Sequence, residues 1–360
     1  MQFKAVKFTN KANPLTVGTQ SIPVTETNGE YKLPSADSIL VKVHAAALNP
    51  IDLIIKNSLS PWIFRGEKGF GFDYSGVVVA IGADAAKRNG LKVNDRVSGL
   101  FQDIFGPGTV AEYVLVDASK PTGANCRKLP DNLTFQQGAA WPLVFGTAQS
   151  MFDSIAKGNS FNKILVIGAG TSVGRYVVQL GKKVYNSSEI VVSCSSKTES
   201  LIKELGATTV IDYTKQKSIL NPVLESVKES GPFDAIFDCC GNSDLLGDML
   251  TVLKGRAEGG TYTTIAGDAK LDFSKGPGNL PSQIFSHFRL LRSNFGFLPY
   301  FYKMVLVNPA DSWPDKCVKA LAEHDFKVFI DSEYPMDQVS EAVKRLQSNK
   351  AAGKVIINIE

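Results

Sequence analysis

The chain of 360 residues is 44% hydrophobic and 21% charged, with a net charge of +4. That length is enough for two domains with separate cores, and so small a positive surplus excludes a nucleic-acid binder that works through one basic face. Five cysteines without a CxxC spacing or a Cys/His cluster exclude a zinc finger and a disulfide scaffold; they read as reduced thiols of an intracellular, cytoplasmic protein.

Residues 1–19 lack an apolar stretch followed by a small-residue cleavage site, and no run of about 18 apolar residues occurs anywhere, so neither a secretory leader nor a membrane-spanning helix is expected. Alternation over residues 3–8 predicts a strand, broken by Asn10, Asn13 and Pro14. Residues 38–44 form a second strand, and 45–50 lead into a loop. Strands at 71–81, 93–97 and 110–116 complete a β-rich first part. A capped helix opens at Thr134 and runs to Ala140, with Gln137 three residues after the cap. Another helix covers 146–156. From Lys163 strands and helices alternate: strands at 164–168, 190–194, 209–213, 233–238 and 261–265, helices at 172–185, 198–205, 221–229 and 244–253. That alternation is the pattern of βαβ units on a parallel sheet. Amphipathic helices at 313–324 and 336–349 precede a last strand at 353–359, which is able to rejoin the first domain. The expected organisation is a first domain over 1–140, a cofactor domain over 141–305, and a returning segment over 306–360.

The sharpest motif follows the strand at 164–168. It reads Gly168-Ala-Gly170-Thr171-Ser172-Val173-Gly174 and runs into a long helix. Glycine lets the backbone approach a pyrophosphate, and the helix start offers free N–H groups and partial positive charge. The first two glycines fit the dinucleotide fingerprint, while the third falls one residue late, with Val173 in its place. The next strand ends at Ser193-Cys-Ser195-Ser196-Lys197, where an NAD enzyme carries an acid on the ribose 2′-hydroxyl. Hydroxyls and a lysine suit a 2′-phosphate, so NADPH is the expected cofactor; the plainer reading is a polar helix cap with a solvated lysine. Gly241 closes the fourth strand of the series, and Ile265 and Gly267 close the fifth. Small residues there leave room for a nicotinamide.

Several segments come in the order of a known superfamily: Ala45-Ala-Ala-Leu-Asn49-Pro50-Ile-Asp52, Gly71-Phe72-Asp73-Tyr74-Ser-Gly76-Val-Val, Asn94-Asp-Arg96-Val, the Gly168–Gly174 turn, and Gly353-Lys354-Val-Ile-Ile. Over nearly its whole length the chain resembles the medium-chain dehydrogenase/reductases, and most closely their zinc-free quinone-oxidoreductase (zeta-crystallin-like) branch. Ala139-Ala-Trp141-Pro142-Leu-Val-Phe145-Gly146-Thr147-Ala is similar to fungal Yim-type members. The resemblance implies an α/β protein with a GroES-like β-rich catalytic domain, a Rossmann domain with a doubly wound parallel sheet, and a cleft between them. A homodimer or a monomer would fit. Zinc members carry Cys where this chain has Asn49 and His where it has Phe72, and residues 98–108 hold no cysteine, so no metal is expected. By the same resemblance Asn49 and Thr147 lie near the nicotinamide, and Ser195, Ser196, Lys197 and Tyr213 near the 2′-phosphate. Lys354 approaches the cofactor phosphates, and Phe295 borders the cofactor. Ile54 stands where some quinone reductases have a tyrosine.

Lacking a Lewis acid, such a site favours hydride transfer to an electron-poor acceptor, a quinone or α,β-unsaturated carbonyl, through near-attack positioning. Asn49 is expected to orient the nicotinamide or the acceptor oxygen, with help from Thr147. The proton comes from water or from Tyr74, which reads equally as a packed strand residue. Ile54, Phe72, Phe101 and Phe145, with Trp62, Phe64 and Phe105, predict an apolar pocket for a small hydrophobic substrate, although each alone reads as core. His44, His287 and His324 receive no role. Two other functions stay open: a non-enzymatic NADPH-binding sensor or structural protein, and a 2-enoyl thioester reductase using Tyr74 or Tyr113.

Overall fold

The computed structural model describes residues 1–60, 66–103, 106–121, 123, 125–155, 161–270, 280–308 and 312–359, with backbone alone at 280–283. Trp62, Phe64 and Phe105 lie outside the described residues. In chain order the elements used below begin with β1 (Gln2–Phe8), β2 (Ser38–Leu48), α1 (Pro50–Ser58), β3 (Asp73–Ile81), β4 (Arg96–Leu100), α2 (Phe135–Ala140) and α3 (Pro142–Asp153). They continue with β5 (Lys163–Ile167), α4 (Ser172–Lys183), β6 (Glu189–Cys194), β7 (Thr209–Asp212), β8 (Ala235–Asp238), β9 (Thr261–Thr264), α5 (Leu280–Asn294) and β10 (Phe301–Met304). The last are β11 (Ile330–Pro335), α6 (Val339–Gln347) and β12 (Lys354–Asn358). Two compact units divide the chain inside α3: the described residues of Met1–Gly146 and Asn308–Glu360 form one, and those of Thr147–Asp272 and Gly278–Val307 the other. No described helix is long and apolar enough to cross a membrane.

The first unit is built on β2, nearly every residue of which is buried. It pairs antiparallel with β3 on one side and with β12 on the other, and β11 lies beyond β12. The strand expected at 38–44 thus runs on to Leu48, because Ala45 to Leu48 pair with Asn358 to Val355. Val41, Val43 and Leu48 join Val355 and Ile357 in one core, which Val339 and Ala342 of α6 help close. The helix start at Thr134 is as expected: its hydroxyl accepts from the Gln137 N–H at 3.2 Å, and the Gln137 side chain accepts from the Thr134 N–H at 2.9 Å.

The second unit holds six parallel strands in the order β7-β6-β5-β8-β9-β10. That is the Rossmann arrangement, in which the chain winds outward in both directions from β5 and ligands bind beyond the carboxyl ends of the strands at the reversal. Every residue of β5 is buried, as a central parallel strand requires. The sixth strand β10 and the helix α5 before it are additions to the expected pattern. The helix expected over 244–253 shrinks to Met249–Val252. Asp244 there turns its carboxylate to the Ile219 N–H at 2.9 Å, and Asn242 caps the Asp244 N–H at 2.9 Å.

Candidate functional site

In the second unit the turn after β5 has the local geometry of a phosphate cradle. Gly168 sits at φ +77°, and a Cβ there would meet the Cys240 Sγ at 2.9 Å. Thr171 caps α4, accepting from the Gly174 N–H at 3.0 Å, while its own carbonyl accepts from Arg175. Ser172 and Val173 therefore present the first-turn amides that a helix cannot satisfy internally. The late third glycine still performs the packing role: a Cβ on Gly174 would meet the Gly168 oxygen at 2.4 Å and the Ala169 Cα at 2.7 Å. The one-residue shift thus leaves the helix pressed against the turn, with Val173 buried beside it.

Around the turn, strand register collects the other expected cofactor residues. β6 and β7 are parallel with Cys194 opposite Asp212, so Ser195-Ser196-Lys197 and Tyr213 emerge side by side. Ser196, Lys197 and Tyr213 are exposed, Tyr213 at 49%. The nearby carboxylate of Asp212 is already engaged by the Thr214 hydroxyl at 2.6 Å, the Thr214 N–H at 3.0 Å and the Lys215 ammonium at 3.1 Å, which hold it down at about 2. At the ends of β8 and β9 the organiser is Asp238, to which sequence reading gave no role. It accepts from the N–H groups of Gly241 at 2.8 Å and Asn242 at 3.0 Å, and from the hydroxyls of Tyr262 at 2.9 Å and Thr264 at 3.2 Å. Gly241 is thereby fixed. The Gly267 N–H is held by Thr264 at 3.0 Å, and the Ile265 N–H donates to the Asp238 carbonyl at 3.2 Å. Phe295 lies just past α5, 68% exposed, with its ring 6.3 Å from that of Phe297.

In the first unit a buried polar cluster forms around Asn49, which begins α1. The Asn49 amide donates to Asp73 Oδ2 at 2.9 Å and to the Ala47 carbonyl at 3.4 Å, and its Oδ1 accepts from the Lys354 ammonium. Lys354 also pairs with Asp73 at 2.9 Å, and the Leu143 N–H binds the other Asp73 oxygen at 2.9 Å. Asn49 and Asp73 are fully buried and Lys354 is 5% exposed. Both Asn49 amide hydrogens and its Oδ1 are thus engaged within this cluster. Lys354, expected at the cofactor phosphates, is enclosed by its own unit as the partner of Asp73. Asp52 completes the group: its Oδ2 accepts from the Asn49 N–H at 2.7 Å. Burial pushes its carboxyl up to about 7, against the pull of that N–H and of Lys354.

The remaining expected residues are mostly core. Tyr74 is 1% exposed, its hydroxyl packed over Gly99 and bonded to Cys126, and burial raises its phenol well above the ordinary value. The packed-strand reading therefore holds, and the proton-donor reading of Tyr74 is corrected. Tyr113 is half-buried against Phe3, its phenol pushed up to about 12 by burial and by Tyr31. Phe145 is fully buried and stacked 4.9 Å from Phe326. Phe72 and Phe101 are 7% and 5% exposed; Phe72 borders a small cavity beside Asp52, and Phe101 borders a separate groove. Ile54 is half-buried on α1, and Thr147 is buried in α3. His44 stacks on Phe135 at 4.4 Å, a packing role.

Comparison with known proteins places this geometry. Residues 35–131 match the alcohol dehydrogenase GroES-like domain, and residues 205–357 match the zinc-binding dehydrogenase family. Protein YIM1 of Saccharomyces cerevisiae is 34% identical over 367 residues, spanning 98% of each chain. Among solved structures, the quinone oxidoreductase from Coxiella burnetii aligns over 100% of both chains with a TM-score of 0.72 at 21% identity. A mycobacterial protein solved as a complex with NADPH aligns over 99% of this chain and 100% of its own, with a TM-score of 0.69 at 20% identity. These two structures share the fold.

Proposed function

The chain belongs to the medium-chain dehydrogenase/reductase superfamily, and from that premise we propose that it is a zinc-independent, NADPH-dependent reductase that passes hydride to a quinone or an α,β-unsaturated carbonyl. The observation that carries the cofactor choice is the exposed group Ser196, Lys197 and Tyr213, gathered at the ends of β6 and β7 with no acid at the end of β6. Lys197 supplies a cation for a 2′-phosphate, and Ser196 a donor. The Ser172 and Val173 amides and the close approach of Gly174 fit a pyrophosphate at the start of α4. Bound there, NADPH supplies the hydride.

The zinc-independent reading rests on the donor set. Asn49 and Phe72 replace the thiolate and imidazole of zinc members, and the Asn49 Oδ1 is already turned to a cation, Lys354. A site without a Lewis acid suits acceptors that spread the incoming charge over a conjugated system. The chain then contributes positioning and exclusion of water. A non-catalytic NADPH-binding role is the second reading, favoured by the burial of Tyr74 and the committed amide of Asn49.

The test is NADPH oxidation at about 340 nm, the absorbance of a reduced nicotinamide, against a panel of quinones and enones, with NADH in parallel and Lys197→Glu as the variant. Turnover that prefers NADPH, with the preference lost in the variant, is the expected result. Activity on simple aliphatic alcohols with none on quinones or enones would overturn the acceptor class. Tight NADPH binding without any turnover would select the second reading.

A further inference from the structure

Within the second unit, helix α5 stands on the sheet with its apolar residues turned outward. Its inward side is small and polar. The Ser286 hydroxyl accepts from the Asp268 N–H at 2.8 Å, the Ser293 hydroxyl accepts from the Tyr302 N–H at 2.8 Å, and Arg289 reaches the Asp268 carboxylate at 3.3 Å. Ser286 and Ser293 are 0% and 1% exposed. On the opposite side Ile284, Phe288 and Leu291 recur at helical spacing beside Phe285, and Phe295 and Phe297 follow past the last turn. These six side chains are 51% to 69% exposed. A helix on the surface of a folded protein ordinarily does the reverse, with its apolar stripe to the core and its serines to water. An outward apolar face of this extent marks an interaction surface.

The charge of the same stretch has one sign. Residues 280–308 contain Arg289, Arg292 and Lys303 and no aspartate or glutamate. Arg289 is paired with Asp268, while Arg292 is exposed next to Leu291, four residues on from Phe288. A protein partner is held in register by paired charges of both signs and by hydrogen bonds around an apolar centre. This face offers rings and aliphatic chains at its centre, and every charge along the stretch is positive. That set matches an anionic phospholipid surface, where apolar side chains enter the acyl boundary and cations stay among the headgroups. With 15 residues and a serine-lined side, α5 is too short and too polar to span a bilayer, so the contact is peripheral.

We propose that α5 and the turn after it dock the protein on an anionic phospholipid surface, with Phe285, Phe288 and Leu291 in the acyl boundary and Arg292 at the headgroup phosphates. Every residue of this face belongs to the second unit, and the docking is independent of the acceptor and of turnover.

Vesicle flotation with the full chain tests this. The probes are vesicles of phosphatidylcholine alone and of phosphatidylcholine with about 30% phosphatidylserine. The protein should float with the second and little with the first. Binding should weaken as salt rises from about 0.05 M to about 0.5 M, because the screening length falls about threefold. Phe285→Ser/Phe288→Ser should bind at least about tenfold more weakly, since two rings no longer leave water. Arg292→Gln should weaken binding to the anionic vesicles about fivefold, the effect of one cation at the surface. These side chains are exposed in the free protein, so both variants should keep the wild-type melting temperature. Phe288→Trp gives a second readout: its added fluorescence should shift to the blue with anionic vesicles and be quenched by brominated acyl chains. Equal flotation of wild type and Phe285→Ser/Phe288→Ser overturns the proposal, as does equal binding to the two vesicles or an unshifted Phe288→Trp signal. A wild type that ignores both vesicles but sediments as a dimer, with Phe285→Ser/Phe288→Ser monomeric, overturns it in favour of a second copy of the chain on this face.

Discussion

Lys354 shows why a residue's type is easier to read than its partner. Its position at the start of a closing strand is visible in the sequence, but its contacts are 281 residues away at Asp73 and 305 residues away at Asn49. No local spacing encodes such pairs; β12 returning beside β2 creates them. Gly168, Gly170 and Thr171, by contrast, act on neighbours a few residues away and are legible as a motif. The buried pair makes a definite demand on stability. Lys354→Met leaves the Asp73 carboxylate without its cation in a fully buried setting, and should destabilise the first unit by about 3–5 kcal/mol. The Lys354→Met/Asp73→Asn double variant removes the stranded charge and should recover much of that loss. Urea denaturation followed by tryptophan fluorescence reads the outcome, since Trp141 and Trp313 are both fully buried in that unit with ring centroids 6.3 Å apart. A double variant no more stable than the single one would show that the pair's charge complementarity is not what holds the cluster.

Among the elements, those with a cap and a buried stripe were legible. The Thr134–Gln137 box announces α2, and the long apolar series of α4 follows directly on its Thr171 cap. α5 carries Ile284, Phe285, Phe288 and Leu291 on exposed positions, so its apolar residues do not trace a stripe facing the core. Periodicity is informative only when the apolar face is the buried one. The C-terminal half of β2 failed for the opposite reason: Ala45 to Leu48 are buried on both faces and do not alternate. At the turn between β5 and α4, the displaced third glycine makes an element-scale prediction. Gly174→Ala places a methyl group 2.4 Å from the Gly168 oxygen, so α4 must move away from the turn. Overpacking of this kind costs about 1–3 kcal/mol, and the same movement withdraws the Ser172 and Val173 amides. The variant should bind NADPH at least about tenfold more weakly, a loss of about 1.4 kcal/mol, and melt at a lower temperature. A variant with unchanged affinity would mean that the helix start does not hold the nucleotide.

At the scale of the whole chain, the alternation of strands and helices from Lys163 made the parallel sheet legible, and the positions of Gly and Ser at strand ends located its ligand edge. The sequence pattern could not show which strand lies at the centre of the first unit. β12 occupies an interior place there, between β2 and β11, although it is formed by residues 354–358. The unit is thus closed by the end of the chain, while the six strands of the second unit all fall within residues 163–304. The two units should respond differently to shortening. A chain ending at Asn349 loses β12, the backbone partners of Ala45 to Leu48, and the cation for Asp73. The tryptophan-reported unfolding transition should then weaken or vanish, because an interior strand and its core residues Val355 and Ile357 are gone. The Gly168–Gly174 turn keeps every residue that shapes it, so NADPH binding measured by nucleotide fluorescence should persist, at reduced affinity if the first unit also contacts the cofactor. A shortened chain with an unchanged tryptophan transition would show that β12 does not hold the first unit together. Complete loss of NADPH binding with the second unit still folded would place the dominant nucleotide contacts in the first unit, at the Asn49 cluster and not at the Gly-rich turn.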